Sequence, residues 1–381
     1  MVIGIDYRPV IRPNSRRRGI GVFTRLQIEH LLKLRNHEFL LYTSVNHQTD
    51  IRGNITWRKI PHIQWPNRLN WILNQLCLSR IIGKDRLDLY HATEVMAVPS
   101  QSSSPLLVTV HDLIPLVYWD KLKSEIPVDY RFGLKYCYKK VRKADQILTI
   151  SESAKIDISS YLGIEKKRIS VIYPGYNPSF SPIDRDKAKA KLGDKYGLHS
   201  PFLFYVGGSD RRKNLKVLVK AYSEVRKKGY EGSLVLAGET FLMDIPEIRS
   251  LRRTIDNLNL QESIFLPGYV DDRDLPSFYS ACDLFVFPSL YEGFGLPVLE
   301  AMACAAPVLA SNKSSIPEVG GQSIEYFLAE EIESLVESCA NLLQDSKRLD
   351  EMRSKGPQRA SKFSWKDNAI SLTRLYKSLV Q

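Results

Sequence analysis

The chain has 381 residues with 54 Lys+Arg against 42 Asp+Glu, a net charge of +12, 44% hydrophobic and 25% charged residues. That length suggests two average domains, and the ordinary apolar content excludes disorder or collagen-like sequence for the bulk of the chain. Residues 1–180 hold 27 Lys+Arg and 15 Asp+Glu while 181–381 hold 27 of each, so the excess charge is confined to the first half and a uniformly basic nucleic-acid coat is excluded.

In chain order, short apolar runs alternate with longer amphipathic ones, the pattern of βα units and a parallel sheet. The strand candidates of the first half are Val2–Asp6, Phe39–Thr43, Ile55–Ile60, Leu87–His91, Leu106–His111, Gln146–Ile150 and Ser170–Ile172. The pattern restarts with Phe202–Gly207, Ser233–Ala237, Ile264–Leu266, Leu284–Phe287 and Pro307–Ala310. Between the two sets, Tyr173-Pro174-Gly175-Tyr176-Asn177-Pro178-Ser179-Phe180-Ser181-Pro182 denies regular structure and reads as a linker. The expected fold class is therefore α/β, with two Rossmann-like doubly wound domains, 1–180 and 181–362, joined by a hinge and facing across a ligand cleft. Residues 363–381 form a terminal helix, expected either to stay with the second domain or to cross back to the first.

Cys77, Cys137, Cys282, Cys304 and Cys339 lack C-x-x-C spacing and a companion His cluster, which argues against a structural zinc site or disulfide framework. No leader-like opening and no apolar run of spanning length is seen, so the expected location is the cytosol.

The strongest signal runs from Phe287 to Met302, where an apolar strand enters a helix through Gly293-Phe294-Gly295-Leu296. Backbone N–H groups and the positive end of a helix dipole suit an anion such as a diphosphate. Glu292 and Glu300 stand eight apart there. Carboxylates accept sugar hydroxyls better than they hold phosphate, so the pair suggests a polyol joined to that phosphate. Beyond another strand end, Arg211, Arg212 and Lys213 offer cations to a departing diphosphate, and Arg212 and Lys213 are the candidates. Gly19-Ile20-Gly21 after Arg16-Arg17-Arg18 is half a dinucleotide fingerprint, with Thr24 in place of the third glycine, so NAD binding is weakly supported. His111 and Asp112 close an apolar run and are expected at a strand's carboxyl end.

The Glu292–Glu300 run resembles the E-x7-E region of retaining GT-B glycosyltransferases of glycosyltransferase family 4. The resemblance extends through Gly4-Ile5-Asp6-x-Arg8-Pro9, Arg18-Gly19-Ile20-Gly21-Val22-Phe23-Thr24-Arg25, Val110-His111-Asp112-Leu113-Ile114-Pro115, Tyr205-Val206-Gly207-Gly208 with Arg212-Lys213-Asn214-Leu215, and Pro267-Gly268-Tyr269-Val270. It implies that Glu300 binds the donor ribose, Glu292 a donor-sugar hydroxyl, and the backbone of Gly293, Phe294, Gly295 and Leu296 the diphosphate and sugar. It further implies a glycine loop at Gly19 and Gly21 under the diphosphate, a donor-sugar contact by His111, acceptor-side roles for Arg18 and Asp112, and a base pocket lined by Gly238, Tyr269 and Val270. The family's arginine after the strand glycine is replaced by Gly208, which points to a relocated diphosphate cation.

The resulting expectation is a retaining hexosyltransferase in polysaccharide assembly, with UDP-glucose favoured as donor and GDP-mannose as rival. The acceptor is a glycan or lipid-diphosphate-linked saccharide. Front-face transfer is expected, because the resemblance places Glu292 against a sugar hydroxyl and leaves no carboxylate nucleophile. No Asp-x-Asp pair stands at a strand end; Asp184-x-Asp186 lies by the linker, and neither a metal nor another cofactor is expected. Cations and aromatics between Trp65 and Ile82 and between Tyr130 and Lys143 suit an anionic membrane surface or a solvated face. A sugar-nucleotide epimerase or hydrolase, and a basic membrane- or nucleic-acid-binding protein, are the competing readings.

Overall fold

A computed structural model describes residues 1–12, 19–44, 54–60, 69–118 and 128–380. They form two compact units, the first from Met1–Gly175 together with Ser364–Gln381 and the second from Tyr176–Phe363.

The first unit holds β1 (Val2–Asp6), β2 (Glu38–Thr43), β3 (Ile55–Lys59), β4 (Leu89–Ala92), β5 (Leu106–Thr109), β6 (Gln146–Thr149) and β7 (Ile169–Val171). All pairings are parallel and the sheet order is β3-β2-β1-β4-β5-β6-β7. Helices cover both faces, which is why β5 reads Leu-Leu-Val-Thr with every residue buried. Alternation along each strand divides the core in two. Leu40, Tyr42, Tyr90, Leu106, Val108 and Ile147 point to one side, among Leu78, Leu134 and Ile158. Ile3, Ile5, Phe39, Leu41, Leu89, Leu107 and Leu148 point to the other, among Ile28, Leu31, Leu372 and Tyr376.

The helix Trp365–Val380 packs on the helix Gly19–Lys33. Asn368 accepts a hydrogen bond from Gln27 Nε2 at 3.0 Å and donates to the Tyr173 carbonyl at 2.7 Å.

The second unit holds β8 (Phe202–Val206), β9 (Ser233–Ala237), β10 (Ile264–Gly268), β11 (Leu284–Phe287), β12 (Val308–Ser311) and β13 (Glu325–Phe327). It is again wholly parallel, in the order β10-β9-β8-β11-β12-β13. Each unit is thus a doubly wound α/β layer system. The strands fall within about two residues of the positions read from apolar runs, a spread usual for element ends, and β13 is an addition. Leu106–His111 is corrected at its end: β5 stops at Thr109, so His111 lies two residues beyond it. Trp65–Arg68 lie outside the described residues, and the helix there runs Leu69–Ile82; the second basic helix runs Val128–Val141. Asp184 accepts from Lys187 N at 3.0 Å and caps the helix Arg185–Tyr196, a structural use for the Asp-x-Asp pair. All five cysteines are free.

Candidate active site

In an open parallel sheet, ligands bind outside the carboxyl ends of the strands, where the strand order reverses direction. In the second unit that point lies between β8 and β11. The two loops leaving those strands carry Arg212 with Lys213, and Glu292.

The structure brings these three together. Glu292 is buried and receives Lys213 Nζ at 2.6 Å and Arg212 Nη1 at 2.8 Å. Arg212 Nε also reaches Asp210 at 3.0 Å, and Lys213 lies over the Phe287 ring. Burial by itself would raise the Glu292 carboxyl, but the two cations outweigh it and hold the group below its ordinary value. The loops are also joined through backbone: Leu290 N donates to the Arg212 carbonyl at 2.7 Å, and Arg212 Nη1 donates to the Tyr291 carbonyl at 2.9 Å.

The turn after β11 is held from the end of β12. Ser311 Oγ donates to the Ser289 carbonyl, Ser314 Oγ to the Glu292 carbonyl, and Ser315 Oγ to both the Glu292 and Phe294 carbonyls at 2.9 and 2.8 Å. Sequence reading missed these serines; their only signal is their density just past a strand. Gly295, at φ 107°, takes the left-handed backbone that lets the chain turn into the helix Leu296–Ala303. Gly293 and Phe294 are buried in this turn, and Phe294 meets Phe363 edge to face at 5.6 Å.

Glu300 sits in that helix, half-buried, and accepts from Tyr279 Oη at 3.3 Å. Burial pushes its carboxyl up to about 8. Tyr279, from the helix Leu275–Ala281, was another partner absent from the sequence reading. At the other strand ends, Gly238 approaches β8 so closely that a Cβ would stand 2.1 Å from the Gly207 carbonyl oxygen. The Gly208 carbonyl accepts from Tyr205 Oη at 2.7 Å. Just past β10, Tyr269 is half exposed and Val270 is buried.

The remaining candidates belong to the first unit. His111 is buried, donates from Nε2 to the Thr93 carbonyl at 3.1 Å and meets Phe23 edge to face at 4.8 Å. Burial lowers its imidazole to about 4, so it is neutral at physiological pH. Asp112 Oδ1 accepts from Ile114 N at 3.0 Å and so holds its own loop. Gly19 and Gly21 open the helix Gly19–Lys33; among the described residues no atom lies within 4 Å of where a Gly19 Cβ would stand, so no contact with them demands glycine there. Arg18 lies outside the described residues. Among the described residues no group of three or more His, Cys, Asp or Glu could hold a metal ion, and no helix is long and apolar enough to cross a membrane.

Two doubly wound parallel units, one with a cation pair and a carboxylate at its switch point, define the GT-B architecture. Residues 186–359 match the family described as glycosyl transferases group 1, and residues 17–180 match glycosyltransferase family 4. The chain belongs to the GT-B glycosyltransferases related to these families. It is 32% identical over 276 residues to the serotype-specific mannosyltransferase WbdA of Escherichia coli, covering 71% of this chain but 33% of that protein. It thus spans about a third of that relative's length. It is 30% identical over 254 residues to the O-antigen chain mannosyltransferase B of Escherichia coli, 65% of each chain. Its fold is similar to sucrose-phosphate synthase of Thermosynechococcus elongatus, with a TM-score of 0.79, 20% identity, and coverage of 100% of this chain and 99% of that one.

Proposed function

We propose that this chain is a retaining hexosyltransferase that moves a hexose from a nucleoside-diphosphate sugar to a hydroxyl of a growing glycan or lipid-linked saccharide. The observation that carries the reading is the Glu292 carboxylate clamped by Arg212 and Lys213 at the switch point of the second unit. A departing diphosphate gains negative charge in the transition state. A fixed guanidinium fork and an ammonium already positioned in a buried site stabilise that charge without reorganising. Glu292 keeps lone pairs for a sugar hydroxyl while held by both cations. A carboxylate so tied is poorly placed to attack an anomeric carbon, which supports front-face transfer with the leaving diphosphate taking the acceptor's proton. Glu300 takes the ribose in this reading, and neutral His111 serves the donor sugar as an uncharged polar group.

Two relatives named as mannosyltransferases support mannose as the sugar, which sets GDP-mannose beside the UDP-glucose that sequence reading favours. A thermal-shift series with GDP, UDP, ADP and dTDP sugars tests this. A ligand at 100 times its dissociation constant raises stability by about 2.7 kcal/mol, and no shift with any of them would overturn the transferase reading. Incubation of the donor without acceptor separates transfer from epimerisation or hydrolysis by its product.

The basic helix Val128–Val141 supports work at the cytoplasmic face of a membrane. Val128 and Phe132 are exposed, Phe132 stacks on Tyr136, and Lys140 lies over the Tyr136 ring. Sedimentation with anionic but not zwitterionic vesicles is the expected result.

A further inference from the structure

The first unit has its own switch point, between β1 and β4. The side chains that leave those two strand ends are Asp6, Arg8, Thr93 and Glu94, all buried. They form a connected cluster. Arg8 Nε donates to Asp6 Oδ1 at 2.5 Å, Thr93 Oγ1 donates to the Asp6 carbonyl at 2.7 Å, and Glu94 pairs with Arg12. Thr93 also accepts from His111 through its carbonyl, so the cluster is one residue from a candidate catalytic side chain.

Two polar atoms in this cluster are unmet. A guanidinium and a carboxylate can close two parallel hydrogen bonds. Here they make one, and Arg8 Nη2 and Asp6 Oδ2 are both buried without a hydrogen-bond partner among the described residues. Leaving such atoms unpaired is costly, and both belong to side chains at least nine-tenths buried. One is a donor and the other an acceptor. A phosphate oxygen satisfies the donor alone and is repelled by Asp6 and Glu94. A sugar hydroxyl satisfies both, since it accepts from Arg8 and donates to Asp6.

We infer that Asp6 and Arg8 form a binding site for a hydroxyl of an uncharged saccharide, the acceptor's sugar ring. Naming that saccharide the acceptor rests on the transferase reading; the hydroxyl site does not. The anionic part of an acceptor, where there is one, lies elsewhere on the basic half.

The test uses the full chain, with methyl α-mannoside, methyl α-glucoside and methyl α-galactoside as probes and mannose 6-phosphate as the anionic control. Saturation-transfer NMR on the wild type should show at least one neutral glycoside bound. Arg8→Lys keeps the charge beside Asp6 but removes Nη2, and should cut that signal by about fivefold or more. The thermal shift given by the nucleotide sugar, read in the other unit, should stay unchanged. No glycoside signal from the wild type, an equal signal from Arg8→Lys, or a preference for the phosphorylated sugar would each overturn the inference. Should Arg8→Lys fail to fold, hydrogen exchange on the wild type decides. The bound glycoside should slow the amides of Tyr7, Arg8 and Val10 and of Thr93 to Val95 by about threefold, and unaltered exchange there would overturn it. A protein that binds glycoside here yet responds to no nucleotide sugar would sink the transferase reading and leave this site standing.

Discussion

Glu292 and Glu300 are the same residue type eight positions apart, and their surroundings push them in opposite directions. Two cations keep Glu292 ionised in a buried place, whereas Glu300 meets the neutral Tyr279 hydroxyl and is driven by burial to about 8. At pH 7 the ligand-free protein therefore holds a proton on Glu300. If ribose hydroxyls donate to its carboxylate, nucleotide binding lowers this group and releases that proton. Calorimetry of nucleotide binding in buffers of differing ionisation enthalpy should show release near pH 7, and Glu300→Gln should abolish it. Equal heats in all buffers for the wild type would exclude the ribose role. For the clamp, Lys213→Met leaves Glu292 with Arg212 alone, and turnover is expected to fall about 100- to 1,000-fold. A turnover within a few-fold of wild type would show that Lys213 serves packing over Phe287 and nothing more.

The loops around these residues work as units because backbone holds backbone. Gly238 N donates to the Gly268 carbonyl at 2.7 Å and Gly207 N to the Ala237 carbonyl at 3.0 Å, so the ends of β8, β9 and β10 are fastened to each other. Gly238→Ala forces a Cβ against the Gly207 carbonyl and should both lower the melting temperature of the second unit and remove the nucleotide-induced shift. Ser315→Ala removes the one hydroxyl proton shared between the Glu292 and Phe294 carbonyls of the β11 turn, at about 1 kcal/mol, and should weaken nucleotide binding without unfolding the unit. The turn from Phe287 to Met302 was legible in the sequence because strand, glycines and helix follow one another along the chain. The serines that hold it were not, since their role depends on β12 lying beside β11. Tyr279 was hidden for the same reason, as its partner Glu300 comes from another helix. The three residues of β13 are too few to show a period, and a monodentate Asp6–Arg8 pair cannot be read from a two-residue spacing. Sequence separation within one element is visible in a chain, but the order of strands in a sheet is not.

At the scale of the molecule, the first unit is closed by a helix from the far end of the chain. Trp365, Ala369, Leu372 and Tyr376 are all buried, and the Tyr376 hydroxyl bonds His91 Nδ1 at 2.7 Å while Thr109 Oγ1 meets Nε2 at 2.7 Å. This burial gives the two units opposite responses to acid. Burial holds His91 neutral down to about 3 and His111 down to about 4, and lowers His37 as well; all three lie in the first unit. The histidine of the second unit, His199, is exposed. An unfolded chain takes up a histidine proton near pH 6.5 while the folded unit refuses it, so the first unit loses stability as pH falls from 6.5 to 5. The loss is on the order of 2 kcal/mol for each of His91 and His111. Glu94, raised by burial despite Arg12, offsets part of this. Glu300 works in the other sense. Its raised carboxyl penalises the folded state progressively from about pH 4.5 to 8, so the second unit regains about 1–2 kcal/mol, after solvent screening, as pH falls from 8 to 5. Its paired carboxylates, Glu292 and Asp274, the latter held by Lys191 and Lys195, lose their stabilisation only at still lower pH, since both are held below their ordinary values. Hydrogen exchange followed peptide by peptide between pH 7 and pH 5, corrected for intrinsic exchange, should show protection falling in β4 and β5 while it holds or rises in β8 and β11. His111→Gln, whose amide can still donate to the Thr93 carbonyl, should flatten the slope of the first unit and leave the second untouched. Parallel loss in both units would mean that the buried histidines do not govern the acid response.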